Sequence, residues 1–278
     1  MSQNLVFDSE LAKRHPINIL LVDDNAINLK VASRMLLRMG YEVDQATNGL
    51  EAVEAQTKNG YDLIFMDIQM PEMDGVTATK TIIANFSPEE RPRIVAVTAH
   101  AMKGDRERYL EAGMDGYISK PVRVEKLIEA IQETPCKTPV AVAAMAGAGD
   151  AVGGMDSAAP AADSGSLPVD IAMFGEMLGM EPEDAEEMLP ELVELFLDDS
   201  AEQLAQIGTA VSSSDLDLLR GAAHKMKGGA ASVAAIPLSE ACGKLEKLAI
   251  EGSLDGAAGY LDEARAEFDR LQNWFNSL

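Results

Sequence analysis

Residues 64–75 read IFMDIQMPEMDG, a short apolar run that stops abruptly at Asp67. Runs of this length between turn residues are typical of buried strands, and amphipathic stretches such as residues 25–39 separate them along the chain. Alternating strands and helices predict a doubly wound, five-stranded parallel α/β sheet. The strand candidates are residues 18–22, 42–46, 62–66, 94–97 and 116–119.

Polar side chains follow the predicted strands. Asp23 and Asp24 come after the first strand, and Asp67 comes after the third. Thr98 ends the fourth strand, and Lys120 follows the fifth. In open α/β sheets ligands bind at the carboxyl ends of the strands, so we expect these groups to share one pocket.

Three crowded carboxylates repel one another unless a cation lies among them, and oxygen ligands favour a hard divalent ion. We therefore predict a Mg²⁺ site formed by Asp23, Asp24 and Asp67. With Thr98 and Lys120 available to bind phosphoryl oxygens, the pocket predicts phosphoryl transfer to a carboxylate.

Four segments within residues 17–132 resemble the response-regulator receiver domain, in its order and spacing: LLVDDNAINLKV, IFMDIQMPEMDG, VAVTAHA and YISKPV. The resemblance implies a flavodoxin-like fold with Asp67 as the phosphoacceptor. It implies Asp23 and Asp24 as metal carboxylates and the backbone carbonyl of Gln69 as a further metal ligand.

The same resemblance gives roles to residues of the last two segments. It implies that Thr98 and Lys120 contact the phosphoryl group and that Tyr117 is an aromatic switch, which turns inward when Thr98 moves toward the phosphate. It also implies a cis peptide bond between Lys120 and Pro121.

The sequence predicts two domains joined by a linker. Residues 1–16 form an N-terminal extension, 17–133 the α/β domain, and 134–166 a flexible linker rich in Ala and Gly. Residues 167–278 contain four amphipathic helices, which predict an all-α four-helix bundle. Pro190 is expected to kink the first helix or to mark its start.

One histidine stands in an unusual helical setting. His224 lies in AAHKMKGGAASVAA, off the apolar stripe, so it can face outward, and we expect an exposed imidazole. Lys227 and Gly228 lie one turn away on the same face. Gly228 and Gly229 each cost about 1 kcal/mol in a helix, which indicates that the active site of another protein approaches closely there.

This segment resembles the H-x-x-K-G signature of histidine phosphotransfer (Hpt) domains across residues 167–278. The resemblance implies that His224 carries a phosphoryl group and that Lys227 and Gly228 form its docking surface. A neutral imidazole is a competent nucleophile toward an acyl phosphate.

Composition restricts the partners. The formal net charge of -23 argues against direct binding of nucleic acid. No apolar run is long enough to cross a bilayer and the N-terminus is unlike a signal peptide, so we expect a cytoplasmic protein without membrane insertion. Cys136 and Cys242 are too far apart for a metal-binding pair and are predicted to be free thiols.

Together these features predict a phosphorelay protein, either free-standing or part of a larger hybrid histidine kinase. No segment resembles an ATP-binding kinase module, so we expect Asp67 to be charged by an upstream histidine kinase. His224 would then pass the group to a downstream receiver. Two alternatives remain open: a phosphorylation-gated binding switch whose helical domain only docks a partner, and a phosphate sink that drains His224 through Asp67.

Overall fold

The computed structural model describes residues 8–98, 105–136, 167–180 and 182–278. The first half alternates helices and strands: α1 (Leu11–Arg14), β1 (Ile19–Val22), α2 (Ala26–Arg38), β2 (Asp44–Ala46), α3 (Gly49–Asn59), β3 (Leu63–Asp67), α4 (Gly75–Asn85), β4 (Arg93–Thr98), α5 (Asp105–Glu111), β5 (Gly116–Ser119) and α6 (Val124–Gln132). The second half contains α7 (Ile171–Leu178), α8 (Pro182–Ser213), α9 (Leu216–Ser232), α10 (Ile236–Glu251) and α11 (Ala257–Phe275).

The five strands form one parallel sheet in the order β2-β1-β3-β4-β5. The predicted doubly wound α/β fold is therefore confirmed. The winding reverses between β1 and β3, which pair directly, so the residues that end these strands meet at the switch point.

Side chains alternate between the two faces of the sheet. Ile19, Leu21 and Phe65 pack beneath α2 and α6, in an apolar cluster that continues into the helical half. Leu20 and Ile64 face the opposite side, where α3, α4 and α5 cover them. Both faces are buried, as expected for a parallel sheet, and only the strand ends are available for chemistry.

The N-terminal extension is partly built into the first domain. In α1 the side chain of Leu11 is buried, and the Tyr41 hydroxyl donates to the carbonyl oxygen of His15. Thr134, predicted to begin the linker, is buried as well, and its Oγ1 donates to the carbonyl oxygen of Ala130. The rest of the predicted linker, residues 137–166, lies outside the described residues.

The helical half differs from the predicted bundle in two details. The four long helices α8 to α11 are present, but a short additional helix, α7, begins at the side-chain cap of Asp170 and ends at Gly179. Pro190 does not mark a helix start, because α8 begins at Pro182 and continues through it. None of the described helices combines the length and apolar character that crossing a bilayer requires.

Candidate functional site

Three carboxylates meet at the switch point of the sheet. One oxygen from each of Asp23, Asp24 and Asp67 lies within 4.8 Å of the others. Asp67 ends β3, and only 1% of its surface is exposed. The adjacency of β1 and β3 thus brings together residues that are more than 40 positions apart in the sequence.

Lys120 extends into this cluster from the end of β5. Its backbone N–H donates to the carbonyl oxygen of Thr98, and its Nζ lies 2.7 Å from Asp23 Oδ2 and 2.7 Å from Asp67 Oδ2. Burial opposes the charge on Lys120, but Asp23 and Asp67 outweigh it and raise the pKa of the ammonium above its usual value. The peptide bond between Lys120 and Pro121 is cis, as the resemblance implied.

One ammonium does not neutralise three carboxylates. Burial raises the pKa of Asp67 to about 6, with Lys120 opposing the shift and Asp23 adding to it. Burial and the charge of Asp23 also raise the pKa of Asp24. The excess of negative charge and the set of oxygen donors fit a hard divalent cation held by Asp23, Asp24 and Asp67.

The shift at Asp67 predicts how stability depends on pH when no metal is bound. Its pKa is about 6 in the folded protein and near 3.8 in the unfolded chain, so the folded state binds the additional proton between these values. The free energy of unfolding should therefore fall as the pH rises from about 4 through about 6. Thermal unfolding in a chelator, compared with Asp67→Asn, tests this: a variant curve that falls just as steeply over this window would contradict it.

Two residues adjacent in the fold shape the surroundings of Asp67. The backbone N–H of Gln69 donates to Asp67 Oδ1 at 3.3 Å, which places this backbone beside the cluster. A Cβ atom at Gly75 would lie 2.0 Å from the carbonyl oxygen of Asp67, so only glycine fits there. Gly75 was not predicted from the sequence, although a glycine that follows the cap Asp74 at the start of α4 was a usable signal.

The predicted switch pair is not assembled. Thr98 is buried at the end of β4, where its Oγ1 lies 3.2 Å from the hydroxyl of Tyr109. Tyr117 is 42% exposed on β5, so its ring does not fill the pocket. The inward movement of Tyr117 stays a prediction. Tyr109 had no signal in the sequence, because only the packing of α5 brings it to Thr98.

The prediction that His224 faces outward is wrong. His224 is 9% exposed, because α10 and the first domain cover this part of α9. Its Nδ1 lies 2.6 Å from Oε1 of Glu246, a residue of α10 that is only 1% exposed. Glu246 was not predicted from the sequence as part of this site.

Glu246 fixes the protonation of the imidazole ring. Burial opposes its ionisation, but the hydrogen bond and charge of His224, together with Lys227, lower the pKa of Glu246 to about 2. An ionised carboxylate only accepts hydrogen bonds, so Nδ1 of His224 must carry a proton and donate it. In the neutral ring the lone pair then lies on Nε2.

Lys227 also differs from its predicted placement. Its Nζ lies 3.0 Å from Glu246 Oε2, and its aliphatic stem runs beside Gly243 of α10. The i+3 spacing from His224 correctly placed it nearby, but its charge is directed into the bundle. Lys227 therefore contacts the same carboxylate as His224, and its role in the docking surface stays a prediction.

The N-terminal part of α2 packs directly against α9. Asn25 Nδ2 donates to the carbonyl oxygen of Lys225, and Ser232 Oγ donates to Oδ1 of Asn28. A Cβ atom at Gly228 would lie 3.5 Å from Asn28 Nδ2, and one at Gly229 would lie 3.1 Å from Asn25 Nδ2. The two glycines thus allow a close approach, but the surface that approaches them in the structure is the chain's own first domain, whereas the prediction was another protein.

Charged side chains border this contact, which we call the α2–α9 interface. Glu191 of α8 lies 3.1 Å from Lys30 Nζ and 3.1 Å from Arg34 Nη2. These ion pairs are exposed and add little stability, but complementary charges favour the correct partner and register. At the pocket itself, burial raises the pKa of Asp24, and the charge of Lys225 on α9 opposes this rise.

The two halves of the chain match two different family models. The family model of the response regulator receiver domain matches residues 19–132, and that of the Hpt domain matches residues 191–274. The chain is 41% identical over 117 residues to the polar-differentiation response regulator DivK of Brucella anthropi, covering 42% of this chain and 94% of the relative.

A much larger protein matches over a similar share of the chain. The hybrid signal transduction histidine kinase G of Dictyostelium discoideum is 40% identical over 125 residues, 44% of this chain but only 4% of the kinase. Among solved structures, the magnesium-bound receiver domain of sensor histidine kinase PA1611 from Pseudomonas aeruginosa is 40% identical, with a TM-score of 0.39, and the match covers 42% of this chain and 96% of that one.

Proposed function

Because the chain belongs to the response-regulator family and carries an Hpt domain after its receiver domain, as a two-component phosphorelay protein does, we propose that Asp67 and His224 exchange a phosphoryl group within one chain. Asp67 is the acceptor in the receiver domain. His224 is the carrier in the Hpt domain and passes the group onward.

A short series of contacts carries this proposal. The backbone N–H of Asn25 donates to Asp23 Oδ1 at 3.0 Å, and its side-chain Nδ2 donates to the carbonyl oxygen of Lys225 at 3.1 Å. Asp23 belongs to the carboxylate cluster with Asp67, and Lys225 directly follows His224. One asparagine therefore joins the surroundings of the two phosphoryl-carrying residues.

The first transfer charges the receiver. A carboxylate oxygen of Asp67 attacks the phosphorus of an upstream phosphohistidine, forming an O–P bond while the N–P bond of the donor breaks. The released imidazole keeps the electron pair. Lys120, already 2.7 Å from Asp67 Oδ2, supplies a positive charge for the phosphoryl oxygens.

The second transfer moves the group to the Hpt domain. The lone pair of His224 Nε2 attacks the phosphorus on Asp67, the O–P bond breaks, and Asp67 recovers its carboxylate. Nδ1 keeps its proton, so the phosphorylated ring carries a positive charge that Glu246 stabilises from 2.6 Å. No external proton donor is required.

We assign Mg²⁺ to the carboxylates of Asp23, Asp24 and Asp67, with the backbone carbonyl of Gln69 as a further ligand. When bound, the ion supplies charge neutralisation on the phosphoryl group. The Mg²⁺ in the related receiver domain of PA1611 supports this assignment.

The partners follow from the two chemical sites. An upstream histidine kinase supplies the group to Asp67, and a downstream receiver takes it from His224. A cytoplasmic location is part of the proposal, and the two free cysteines are consistent with a reducing compartment.

The test is to incubate the full chain with Mg²⁺ and a labelled small acyl phosphate. Phosphoaspartate is labile in base, whereas phosphohistidine is stable in base and labile in acid, so the two products can be separated. We expect both forms, with the base-stable label appearing second. A label confined to the base-labile form would contradict the relay and favour the binding switch.

A further inference from the structure

The metal carboxylate Asp23 is connected to the Hpt domain through the side chain of Asn28. Asn28 Nδ2 donates to Asp23 Oδ1 at 2.9 Å, and Asn28 Oδ1 accepts from Ser232 Oγ at 2.7 Å. Ser232 is the last residue of α9, eight positions after His224, and is largely buried. A continuous line of hydrogen bonds therefore joins the end of the Hpt helix to the acidic cluster.

The donor and acceptor atoms of Asp23, Asn28 and Ser232 set the direction of these hydrogen bonds. The oxygens of Asp23 accept hydrogen bonds from Lys120 and from Asn28, so Asn28 turns its NH₂ group toward Asp23. The amide oxygen of Asn28 then faces α9 and requires a donor, which the hydroxyl of Ser232 provides. Hydrogen bonds in such a chain polarise one another, so each strengthens the next.

The two oxygens of Asp23 have different partners. Oδ1 accepts from the backbone N–H of Asn25 and from Asn28 Nδ2, whereas Oδ2 lies 2.7 Å from Lys120 Nζ, on the side of Asp67. Holding Oδ1 in place keeps Oδ2 directed into the cluster. A ligand that is already oriented loses less conformational freedom when a cation binds.

We propose that Ser232 is a positioning residue that fixes the metal carboxylate Asp23 through Asn28, so that docking of the Hpt domain and binding of Mg²⁺ strengthen each other. The reciprocity is a thermodynamic requirement, because a contact that tightens metal binding in the docked state must tighten docking in the metal-bound state by the same factor. The inference rests on the Mg²⁺ site of the proposed function. It adds that the receiver holds its metal best when the transfer partner is in place.

The experiment measures Mg²⁺ binding to the full chain by isothermal titration calorimetry. In Ser232→Ala the amide oxygen of Asn28 loses its donor, and Mg²⁺ should bind about three- to tenfold more weakly, the range expected for one hydrogen bond. The matched control is Ser239→Ala, which removes a hydroxyl that donates to the carbonyl oxygen of Lys227 inside the Hpt domain. This variant should bind Mg²⁺ as the wild type does.

A variant whose two domains are not docked shows whether Ser232→Ala weakens Mg²⁺ binding through the α2–α9 interface or through a local defect. Outside its own helix backbone, a Cβ atom at Gly228 meets Asn28 Nδ2 as its one neighbour within 4 Å among the described residues, so the leucine of Gly228→Leu begins against α2 and should separate α9 from α2. Small-angle scattering verifies the separation as an increased radius of gyration. In this background Ser232→Ala should leave the Mg²⁺ affinity unchanged.

Two results would overturn the inference: an unchanged Mg²⁺ affinity in Ser232→Ala, or an equal loss of affinity in the docked and the undocked background. Either would leave the relay itself intact, provided that the wild type binds Mg²⁺. A wild-type chain that bound no Mg²⁺ would instead remove the metal site of the proposed function and the inference with it.

Discussion

Replacing Asp67 by asparagine should remove the phosphoryl label from His224 as well as from position 67. The amide that replaces the carboxylate is not a nucleophile toward phosphorus, so a small acyl phosphate cannot charge the receiver. His224 keeps its orienting partner Glu246, and the α2–α9 interface is unchanged, yet no donor reaches it. Labelling of Asp67→Asn under the conditions used for the wild type should give only background.

The matched variant is His224→Gln, which should keep the base-labile label on Asp67 and lose the base-stable one. Together the two variants fix the order of transfer. Base-stable label on His224 in Asp67→Asn would contradict this order, because it would show that His224 is charged directly. The phosphate-sink direction would then be favoured.

Replacing Glu246 by alanine should slow transfer from Asp67 to His224 by about 10- to 100-fold, the loss expected for a hydrogen bond to a charged group. Without the carboxylate, Nδ1 of His224 loses the partner that keeps its proton in place and stabilises the phosphorylated ring. Lys227 also loses the carboxylate that its ammonium contacts at 3.0 Å. Phosphorylation of Asp67 itself should be unaffected.

Rapid-quench kinetics of the base-stable label measure this effect. Glu246→Gln should be milder than Glu246→Ala, because the amide oxygen still accepts from Nδ1. Glu240→Ala, which removes an exposed carboxylate from the same helix, is the control and should transfer at the wild-type rate. If Glu246→Ala transferred the phosphoryl group as fast as this control, the reactivity of His224 Nε2 would not depend on Glu246.

The receiver pocket was predictable because its residues follow strands. Asp23, Asp67 and Lys120 are distant in the sequence but each comes at the carboxyl end of a parallel strand, and such ends meet at one edge. The alternation of apolar runs and amphipathic stretches therefore predicted the cluster before any contact was known. Strand limits were less accurate: β2 begins two residues later than predicted, at Asp44.

In the Hpt site, His224 and Lys227 of α9 were predicted from the sequence. Their partner Glu246 was not, because it lies on another helix, α10. Glu246 is 22 residues from His224 and meets it only through the packing of α10 on α9. The sequence signal for Glu246 was a charged residue directly after Leu245, an apolar residue that the structure buries. The burial of His224 was invisible for a similar reason, since periodicity within α9 cannot show that another domain covers it.

The short helix α7 and the continuity of α8 show that local helix signals do not determine where helices begin and end. Ile171–Leu178 is too short for a clear helical period, and its helix depends on caps at both ends and on burial of Phe174. Pro190 breaks local hydrogen bonding, but α8 is long and packs along the bundle, so tertiary contacts outweigh the local cost. Helix propensity alone therefore predicts neither the short helix α7 nor the continuity of α8 through Pro190.

The most direct test of the account is whether Asp67 and His224 exchange the phosphoryl group within one chain. The rate constant for appearance of base-stable label, after Asp67 has been charged and the donor removed, is measured over a hundredfold range of protein concentration. The docked α2–α9 interface predicts a rate constant that does not change with concentration. A rate constant that rises in proportion to concentration would contradict the account, because His224 would then be charged by the Asp67 of another molecule.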